Sequence, residues 1–312
     1  MTRVARLATL NARAGKTIMI RWILWAILLT LATRAGAAPG GVALFRQGRY
    51  QQARGALEAA IHAGSGDPRA QFYLGRTCLK LGDLECAADR LREAVRAAPE
   101  RAVYHYWLAR AYGAEARAAN PIHQAWLALR VRRELRRAVA LDPDDLDARI
   151  ALAGYYIEAP GFLGGGLDAA RRQARTILER DPRQGSLLMA RIHLRDGDAD
   201  AAEAVYRRLE HEQEASGADG SPAAADVYGD YGRFLLRQRR YAEAIVRFRR
   251  QAALVPGDPQ PRIHLGDAYR GVGRYAAAIA EYRTAQRLKP GLADIDERLR
   301  ETRRQVRNAA SP

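Results

Sequence analysis

The sequence predicts an all-α protein, a solenoid of about seven helix-turn-helix repeats that ends in a capping helix. Three observations carry this prediction. The same landmark residues recur at the same spacing, small residues recur at one fixed position of each repeat, and a proline follows most of the predicted second helices. Recurrence at a fixed period is typical of stacked repeats, because each repeat buries its apolar face only against its neighbours.

The first 37 residues have the pattern of a secretory signal peptide. An apolar run of eleven residues, Trp22–Ala32, follows Arg21 and precedes the small-residue sequence Ala35-Gly36-Ala37. Eleven helical residues are too short to cross a bilayer core of about 30 Å, so we expect cleavage after Ala37. Met19 is a plausible true start, since it leaves a signal of ordinary length. The alternative is an uncleaved leader that anchors the chain in the inner membrane, facing the periplasm.

The rest of the chain is organised around a repeated set of landmarks. Two stretches carry them at identical spacing: Leu74, Gly75, Gly82, Ala87, Leu91, Ala94 and Pro99 in one, and Leu265, Gly266, Gly273, Ala278, Tyr282, Ala285 and Pro290 in the other. This pattern resembles the tetratricopeptide repeat, a 34-residue helix-turn-helix. The resemblance covers nearly all of the chain after the leader and implies a right-handed α-solenoid.

The landmarks divide the chain into segments. A truncated first repeat occupies residues 38–67, and repeats two to five occupy 68–216, with insertions at about 113–125 and 159–166. A linker rich in Gly, Asp, Ser, Pro and Ala follows at 217–224. Repeats six and seven occupy 225–291, and 292–312 are expected to form a capping helix and tail. The loop at 159–166 resembles an insertion found in exported bacterial tetratricopeptide repeat proteins of unknown role; it is either a long inter-helix turn or a loop that contacts a partner.

The eighth position of each predicted first helix is always small. Close approach of the two helices of a repeat requires a residue with little or no side chain there. The seven copies have Gly41, Gly75, Ala109, Ala153, Ala190, Gly232 and Gly266. Four residues beyond a small facing position on the second helix, most copies have a large residue such as Leu91 or Tyr282, on the same helical face.

The sequence contains no motif for catalysis, metal binding or nucleotide binding. The six histidines lack zinc-ligand spacing, no serine lies in a Gly-x-Ser-x-Gly frame, and Gly15-Lys16-Thr17 lacks the glycine that a phosphate loop needs five residues earlier. We therefore expect neither an enzyme nor a cofactor, and no small-molecule substrate.

Cys78 and Cys86 are the two cysteines of the chain. In repeat phase they lie on consecutive helices across the Gly82-Asp83 turn, so their side chains are able to meet. An exported protein rarely keeps an exposed free thiol, which favours a disulfide. The alternative is a pair of ordinary buried small residues.

The predicted inner groove is rich in arginine. In the family, residues 2, 5, 9, 12 and 13 of each first helix line this groove. Acidic residues at these positions are Asp147, Glu158, Asp226 and Asp267. The basic and aromatic residues that we select as candidate partner-binding residues are Arg69, Phe72, Arg76, Lys80, Tyr106, Arg110, Arg191, Arg195, Arg233, Arg237 and Arg270.

Charge and groove composition lead to two functional interpretations. The chain has a net charge of +16, of which about +10 remains after cleavage of the leader. The first interpretation is a non-enzymatic periplasmic adaptor that binds an acidic or extended segment of a protein partner, in envelope or secretion assembly, since guanidinium groups pair with carboxylates and stack on rings. The second is binding of an anionic polymer such as an acidic polysaccharide; nucleic acid is disfavoured by the export signal. Membrane contact is expected only through an uncleaved leader.

Overall fold

The computed structural model describes residues 37–217, 220–221 and 223–310, so the predicted leader lies outside the described residues apart from Ala37. Fifteen α-helices and no strands are found within these ranges, and the predicted all-α repeat fold with a capping helix is confirmed. The helices are α1 Ala37–Arg46, α2 Tyr50–His62, α3 Pro68–Leu81, α4 Leu84–Ala97, α5 Ala102–Ala116, α6 Pro121–Leu141, α7 Leu146–Glu158, α8 Leu167–Arg180, α9 Pro182–Asp196, α10 Ala199–Ser216, α11 Ala224–Arg237, α12 Tyr241–Leu254, α13 Pro259–Gly271, α14 Tyr275–Leu288 and α15 Ala293–Ala310.

The chain divides into two compact units. The first contains the described residues up to Tyr155 and the loop residues Ala159–Gly164. The second contains Tyr156–Glu158 and the described residues from Gly165 onward. Each unit is a stack of helical hairpins with its own buried cluster, from Val42 to Leu127 in the first and from Leu187 to Leu299 in the second.

The small eighth position brings the two helices of a hairpin together. A Cβ atom at Gly41 or Gly75 would lie 2.6 Å from Cγ of Leu57 or Leu91 on the facing helix. Gly232 faces the ring of Phe248 in the same way, and Gly266 faces Tyr282. The absence of a side chain at this position is therefore what allows a large residue to pack against the first-helix backbone.

Aspartate-proline pairs set several helix boundaries. The carboxylates of Asp67, Asp181 and Asp258 accept hydrogen bonds from backbone N–H groups of the helices that begin at Pro68, Pro182 and Pro259. Proline suits the first helical position because its missing N–H would have no partner there. At the other end, α4, α6, α8, α12 and α14 each stop two residues before a proline, as the sequence predicts.

The turn inside a hairpin needs a left-handed residue. Gly48, Gly82, Gly197 and Gly273 occupy equivalent positions and have φ between 74° and 90°. In the sixth repeat the equivalent residue is Arg239, with φ of 59°. This region favours glycine, so Arg239 holds a strained backbone conformation.

The insertions take different structural forms. Around 113–125, the extra residues lengthen α6 to 21 residues, of which Leu127 and Ala138 are buried. Pro121 begins this helix, and Asn120 caps it by accepting a hydrogen bond from His123 N at 3.0 Å. Within 159–166, residues Gly161–Leu163 form one turn of 3-10 helix. In the linker, α10 ends at Ser216 and α11 begins at Ala224.

A buried ion pair joins α5 to α6 within the first unit. His105 Nδ1 donates to Glu134 Oε2 at 2.6 Å, and His105 Nε2 donates to the carbonyl of Pro99 at 2.9 Å. Burial acts to raise the pKa of Glu134, but the hydrogen bonds from His105 and Arg133 outweigh it and lower the pKa. The buried Glu134 carboxylate is therefore compensated by its hydrogen-bond partners.

The capping helix covers the last hairpin. Ile295, Leu299 and Thr302 lie on one face of α15 and are buried. Residues spaced four and three apart share a helical face, so α15 closes the apolar end of the stack and leaves its charged face to solvent. Within the described ranges, no helix is both long and apolar enough to span a bilayer.

Candidate partner-binding site

The eleven predicted groove residues all lie on the first helices of hairpins, but they belong to two separate sets. Those of the first unit are Arg69, Phe72, Arg76 and Lys80 on α3, and Tyr106 and Arg110 on α5. Those of the second unit are Arg191 and Arg195 on α9, Arg233 and Arg237 on α11, and Arg270 on α13.

In the first unit, two of the predicted arginines enclose a tryptophan. The guanidinium carbon of Arg76 lies 4.2 Å from the centre of the Trp107 ring, and that of Arg110 lies 4.4 Å from it. Arg76 also lies 4.7 Å from the Phe45 ring centre. We call Arg76, Trp107 and Arg110 the Arg-Trp-Arg stack. Cation-π contacts hold each guanidinium in place without neutralising its charge.

The charge of Arg76 is poorly compensated. Burial lowers its pKa, and the nearby positive charge of Arg110 lowers it further. Its Nε atom is buried without a hydrogen-bond partner. Among the residues described for this unit, no carboxylate forms an ion pair with Arg76 or Arg110. The stack therefore has unused capacity to bind an anion.

The remaining predicted residues of this unit differ in accessibility. Arg69 and Lys80 are exposed, while Tyr106 is partly exposed with Arg110 lying over its ring. Phe72 is buried, and its ring stacks on Tyr104 at 4.5 Å between centres. The Phe72 ring thus supports α3 against α5 and offers little surface to a ligand.

In the second unit, four predicted arginines converge on one cavity of about 540 Å³. Two of them lie on α9 and two on α11, which are the first helices of successive hairpins. On each helix, one arginine occupies the ninth position of the repeat and the other lies near the end of the helix. We call this space the arginine cavity. It is lined by Arg191, Arg195, Arg233 and Arg237, by the acidic residues Glu158 and Asp230, and by Ile157, Leu194, Tyr206 and Phe234.

The arginine cavity has an excess of positive charge. Arg191 Nη2 lies 3.1 Å from Glu158 Oε1, and Arg233 pairs with Asp230 one turn earlier on its own helix. Arg195 and Arg237 are exposed and have no carboxylate partner in the part of the chain that the structure describes. Two of the four guanidinium groups are therefore free to bind an anion that enters the cavity.

Electrostatics at Arg233 show the same excess. Burial lowers the pKa of Arg233, and repulsion from Arg191 and Arg237 lowers it further. An incoming carboxylate would relieve this repulsion. The apolar groups Leu194, Tyr206 and Phe234 lie between the charges, so the cavity combines anion binding with space for an apolar side chain.

Arg270 is occupied by the capping helix. Its Nη1 atom lies 2.9 Å from Glu301 Oε2 of α15, and the groove residue Asp267 pairs with Arg298 of the same helix. His264 lies beside these groups with Nδ1 buried and unpaired, and burial, followed by repulsion from Arg233 and Arg298, lowers its pKa to about 4. The groove residues of α13, the first helix of the last hairpin, thus hold α15 in place.

The model of the tetratricopeptide repeat family matches the chain at residues 40–102, 164–219, 187–259 and 235–293, which together cover more than half of it. The chain is a tetratricopeptide repeat protein. Such repeats indicate a scaffold for protein–protein interaction, and proteins of this fold are typically non-enzymatic. A search of curated protein sequences finds no significant match.

Solved structures resemble this tetratricopeptide repeat protein in fold. A tetratricopeptide repeat protein from Parabacteroides merdae is 15% identical, with a TM-score of 0.65, and the match covers 87% of this chain and 99% of that chain. MamA from Desulfovibrio magneticus, residues 41 to the end, is 16% identical with a TM-score of 0.49, covering 58% of this chain and 96% of that chain. At 15% identity the likeness to the Parabacteroides merdae protein, with a TM-score above 0.5, concerns the fold alone.

The two cysteines of this tetratricopeptide repeat protein are adjacent. Cys78 near the end of α3 and Cys86 near the start of α4 form a disulfide across the hairpin turn, with their Cα atoms 5.9 Å apart. The carboxylate of Asp83 lies close to both sulfur atoms and caps α4 through Cys86 N at 3.1 Å. Sulfur atoms joined in a disulfide are not metal ligands, so this cluster is structural.

Sequence reasoning missed three residues that shape these sites. Trp107, Tyr206 and Asp230 lie outside the five family positions that were transferred to this chain. A signal existed for Trp107, because it is one of only two tryptophans after the leader and lies beside a predicted groove residue. Asp230 pairs with Arg233, three residues later on the same helix. This spacing permits an ion pair but does not predict one.

Proposed function

We propose that this protein is a non-enzymatic periplasmic scaffold that binds an acidic, extended segment of a protein partner in its arginine cavity. The observation that carries the proposal is the convergence of Arg191, Arg195, Arg233 and Arg237 on one space that contains only two carboxylates. The family assignment supports a protein partner over a small-molecule substrate.

The chemistry of the cavity fits such a segment. Arg195 and Arg237 are exposed, and no carboxylate of the described residues pairs with them, so each is able to hold one carboxylate through two parallel hydrogen bonds. Leu194 and Phe234 offer apolar contact between these charges. An extended peptide places successive side chains on opposite sides, which suits alternating acidic and apolar residues.

The Arg-Trp-Arg stack of the first unit provides the same chemistry independently. Arg76 and Arg110 carry positive charge beside the face of Trp107, without a carboxylate partner in the described part of that unit. A carboxylate would bind between or beside these groups. We therefore propose the stack as a second, separate contact for an acidic segment.

The periplasmic location rests on the leader. Fusions of residues 1–37 and of residues 19–37 to an alkaline phosphatase that is active only after export test it directly. We expect activity from both fusions and a processed product that begins at the first phosphatase residue after Ala37. Inactive phosphatase that stays in the cytoplasm with both fusions would contradict the export proposal.

Partner binding is tested in the native host with a photo-crosslinking amino acid at Leu194, which lines the cavity. We expect a covalent adduct with a protein, lost when Arg195 and Arg237 are both changed to Gln. The matched control is Arg303→Gln/Arg304→Gln, because these exposed α15 arginines lie outside the cavity lining. Adducts that contain polysaccharide instead of protein, with binding that weakens steeply with salt, would favour the anionic-polymer interpretation and contradict the adaptor.

A further inference from the structure

The two insertions that interrupt the repeat meet on one surface of the first unit. The first adds about two turns to the start of α6, and the second forms the loop around Gly161–Leu163. Arg132 Nη1 on α6 donates to the carbonyl oxygen of Leu163 at 3.1 Å, and Tyr155 OH on α7 donates to the same oxygen at 2.8 Å. The loop is thereby fixed against α6.

This surface exposes large apolar side chains. Ile122 is 85% exposed, Trp126 45% and Leu129 48%, and they follow one another on α6 at spacings of four and three residues. Phe162, at the centre of the loop, is 83% exposed. Spacings of four and three place side chains on one helical face. The repeat core does not need these residues, because the buried side of α6 is already filled by Leu127, Leu135 and Ala138.

The same face of α6 continues as a basic surface. Arg133, Arg136 and Arg137 follow one to two turns later and are exposed. The single acidic residue of α6, Glu134, is buried and paired with His105 and Arg133. The outer face of α6 therefore carries apolar and positively charged groups without an exposed carboxylate.

Trp126 is in contact with both Arg130 and His123. The guanidinium carbon of Arg130 lies 3.6 Å from the Trp126 ring centre, and the His123 ring stacks on the same indole with centres 5.2 Å apart. A tryptophan beside arginine is typical of helices that lie at the level of lipid headgroups, where the ring is partly wet and the cation meets phosphate.

We propose that the face formed by α6 and the 159–164 loop binds the surface of an anionic phospholipid bilayer. Ile122, Phe162, Trp126 and Leu129 enter the boundary between headgroups and acyl chains, and Arg136 and Arg137 pair with lipid phosphates. This contact is additional to any made by an uncleaved leader and does not depend on the arginine cavity.

Charge and shape favour a lipid surface over other occupants. A second copy of the chain would bring the exposed arginines of two α6 helices against each other, which costs energy. Ile122 and Phe162 project almost fully into solvent instead of lining a pocket, so they suit a soft surface that forms around them. An anionic bilayer also supplies negative charge to the exposed Arg136 and Arg137, for which α6 itself offers no exposed carboxylate.

The test uses residues 38–312 with Trp107→Phe, which leaves Trp126 as the single tryptophan. This chain retains every hairpin and both buried clusters, and circular dichroism checks its folding. Vesicles of phosphatidylcholine with 30% phosphatidylglycerol are compared with pure phosphatidylcholine, by sedimentation and by Trp126 fluorescence. We expect sedimentation and a shift of emission to shorter wavelength with the anionic vesicles only.

Paired variants separate the apolar from the charged contribution. Arg136→Gln/Arg137→Gln should weaken partitioning roughly 30-fold, about fivefold for each arginine near an anionic surface. Ile122→Ser and Phe162→Ser should each weaken it at least roughly tenfold. Two controls should leave partitioning unchanged. Arg303→Gln/Arg304→Gln removes the same charge elsewhere, and Val246→Ser removes an exposed apolar group elsewhere.

Three results would overturn the proposal. Equal binding to neutral and anionic vesicles, or none to either, would exclude recognition of anionic lipid. A vesicle-independent dimer, seen by light scattering and abolished by Ile122→Ser, would assign the face to a second copy. A protein adduct formed by a photo-crosslinking amino acid at Leu129, and lost in the Ile122→Ser chain while vesicle binding stays intact, would assign it to a protein partner.

Discussion

Gly75 of α3 lies directly against Leu91 of α4, so that a Cβ atom at Gly75 would come within 2.6 Å of the Leu91 Cγ atom. The backbone N of Leu91 and the carbonyl oxygen of Ala87 lie 3.1 and 3.2 Å from the same point, so backbone atoms of α4 crowd this position as well as the Leu91 side chain. The distance between the helices of this hairpin is therefore set by the glycine.

We predict that Gly75→Ala lowers the free energy of unfolding by about 1–3 kcal/mol, because overpacking outweighs the better helix propensity of alanine. Gly55→Ala is the matched control, since Gly55 in α2 is exposed and has no atom within 4 Å of its Cβ position. The control should gain about 1 kcal/mol. Urea unfolding followed by circular dichroism measures both, and equal effects of the same sign would show that the helix contact is looser than described.

Arg239→Gly should stabilise the sixth repeat. Arg239 has φ of 59° at the turn position where Gly48, Gly82, Gly197 and Gly273 occur. Glycine removes a left-handed strain of about 1–2 kcal/mol and adds about 0.5–1 kcal/mol of chain entropy to the unfolded state, for a net gain of about 0.5–1 kcal/mol. Thermal unfolding measures the gain, and Gly82→Ala, which creates the strain in the second repeat, should lower the midpoint. An unchanged or lower midpoint for Arg239→Gly would contradict the backbone assignment.

His264 should make stability depend on pH between 4 and 6.5. Burial, together with the charges of Arg233 and Arg298, lowers its pKa to about 4, while Asp267 and Asp258 act in the opposite direction without reversing the shift. The unfolded chain binds a proton on His264 below pH 6.5 and the folded chain does not, so this stability is present above pH 6.5 and is lost as the pH falls towards 4.

At pH 5 the loss from His264 amounts to about 2 kcal/mol relative to pH 7.5. His264→Gln does not titrate, so the difference in urea unfolding free energy between these two pH values should shrink by about this amount, whatever the variant's stability at pH 7.5. An identical pH dependence in the two proteins would show that His264 is not buried as described.

Removal of the Cys78–Cys86 disulfide should lower the free energy of unfolding by roughly 2–3 kcal/mol, because the crosslink closes a short loop in the unfolded chain. The double variant Cys78→Ala/Cys86→Ala is compared with the wild type before and after reduction. Reduction should lower the stability of the wild type alone. Two free thiols in the denatured, unreduced protein would contradict the disulfide.

The repeat phase predicted the fold and the buried contacts that repeat with it. Gly75, Ala87 and Leu91 recur in equivalent positions of other copies, because the same packing problem is solved in each hairpin. The phase also predicted an insertion at about 113–125. It did not show that the insertion extends α6 as helix, since that depends on local capping by Asn120 and on burial of Leu127.

The candidate site was only partly predictable, because the repeat pattern gives the positions of the groove residues but not their ion-pair partners. Family positions brought Arg191, Arg195, Arg233 and Arg237 into one set, and the structure gathers these four around one cavity. Whether a groove arginine is free depends on side chains outside the repeat pattern. Glu301 of the capping helix holds Arg270, while no carboxylate within the described ranges holds Arg237.

The most direct test of the proposed function is a titration of the purified protein with a labelled peptide that alternates Glu and Leu. We expect saturable binding that weakens at least roughly tenfold in Arg195→Gln/Arg237→Gln, since each lost charged hydrogen bond costs about 1.5–3 kcal/mol. Binding should be unchanged in Arg303→Gln/Arg304→Gln. A peptide that alternates Lys and Leu should not bind. Equal affinity of the two variants for the acidic peptide would contradict the arginine cavity as the binding site.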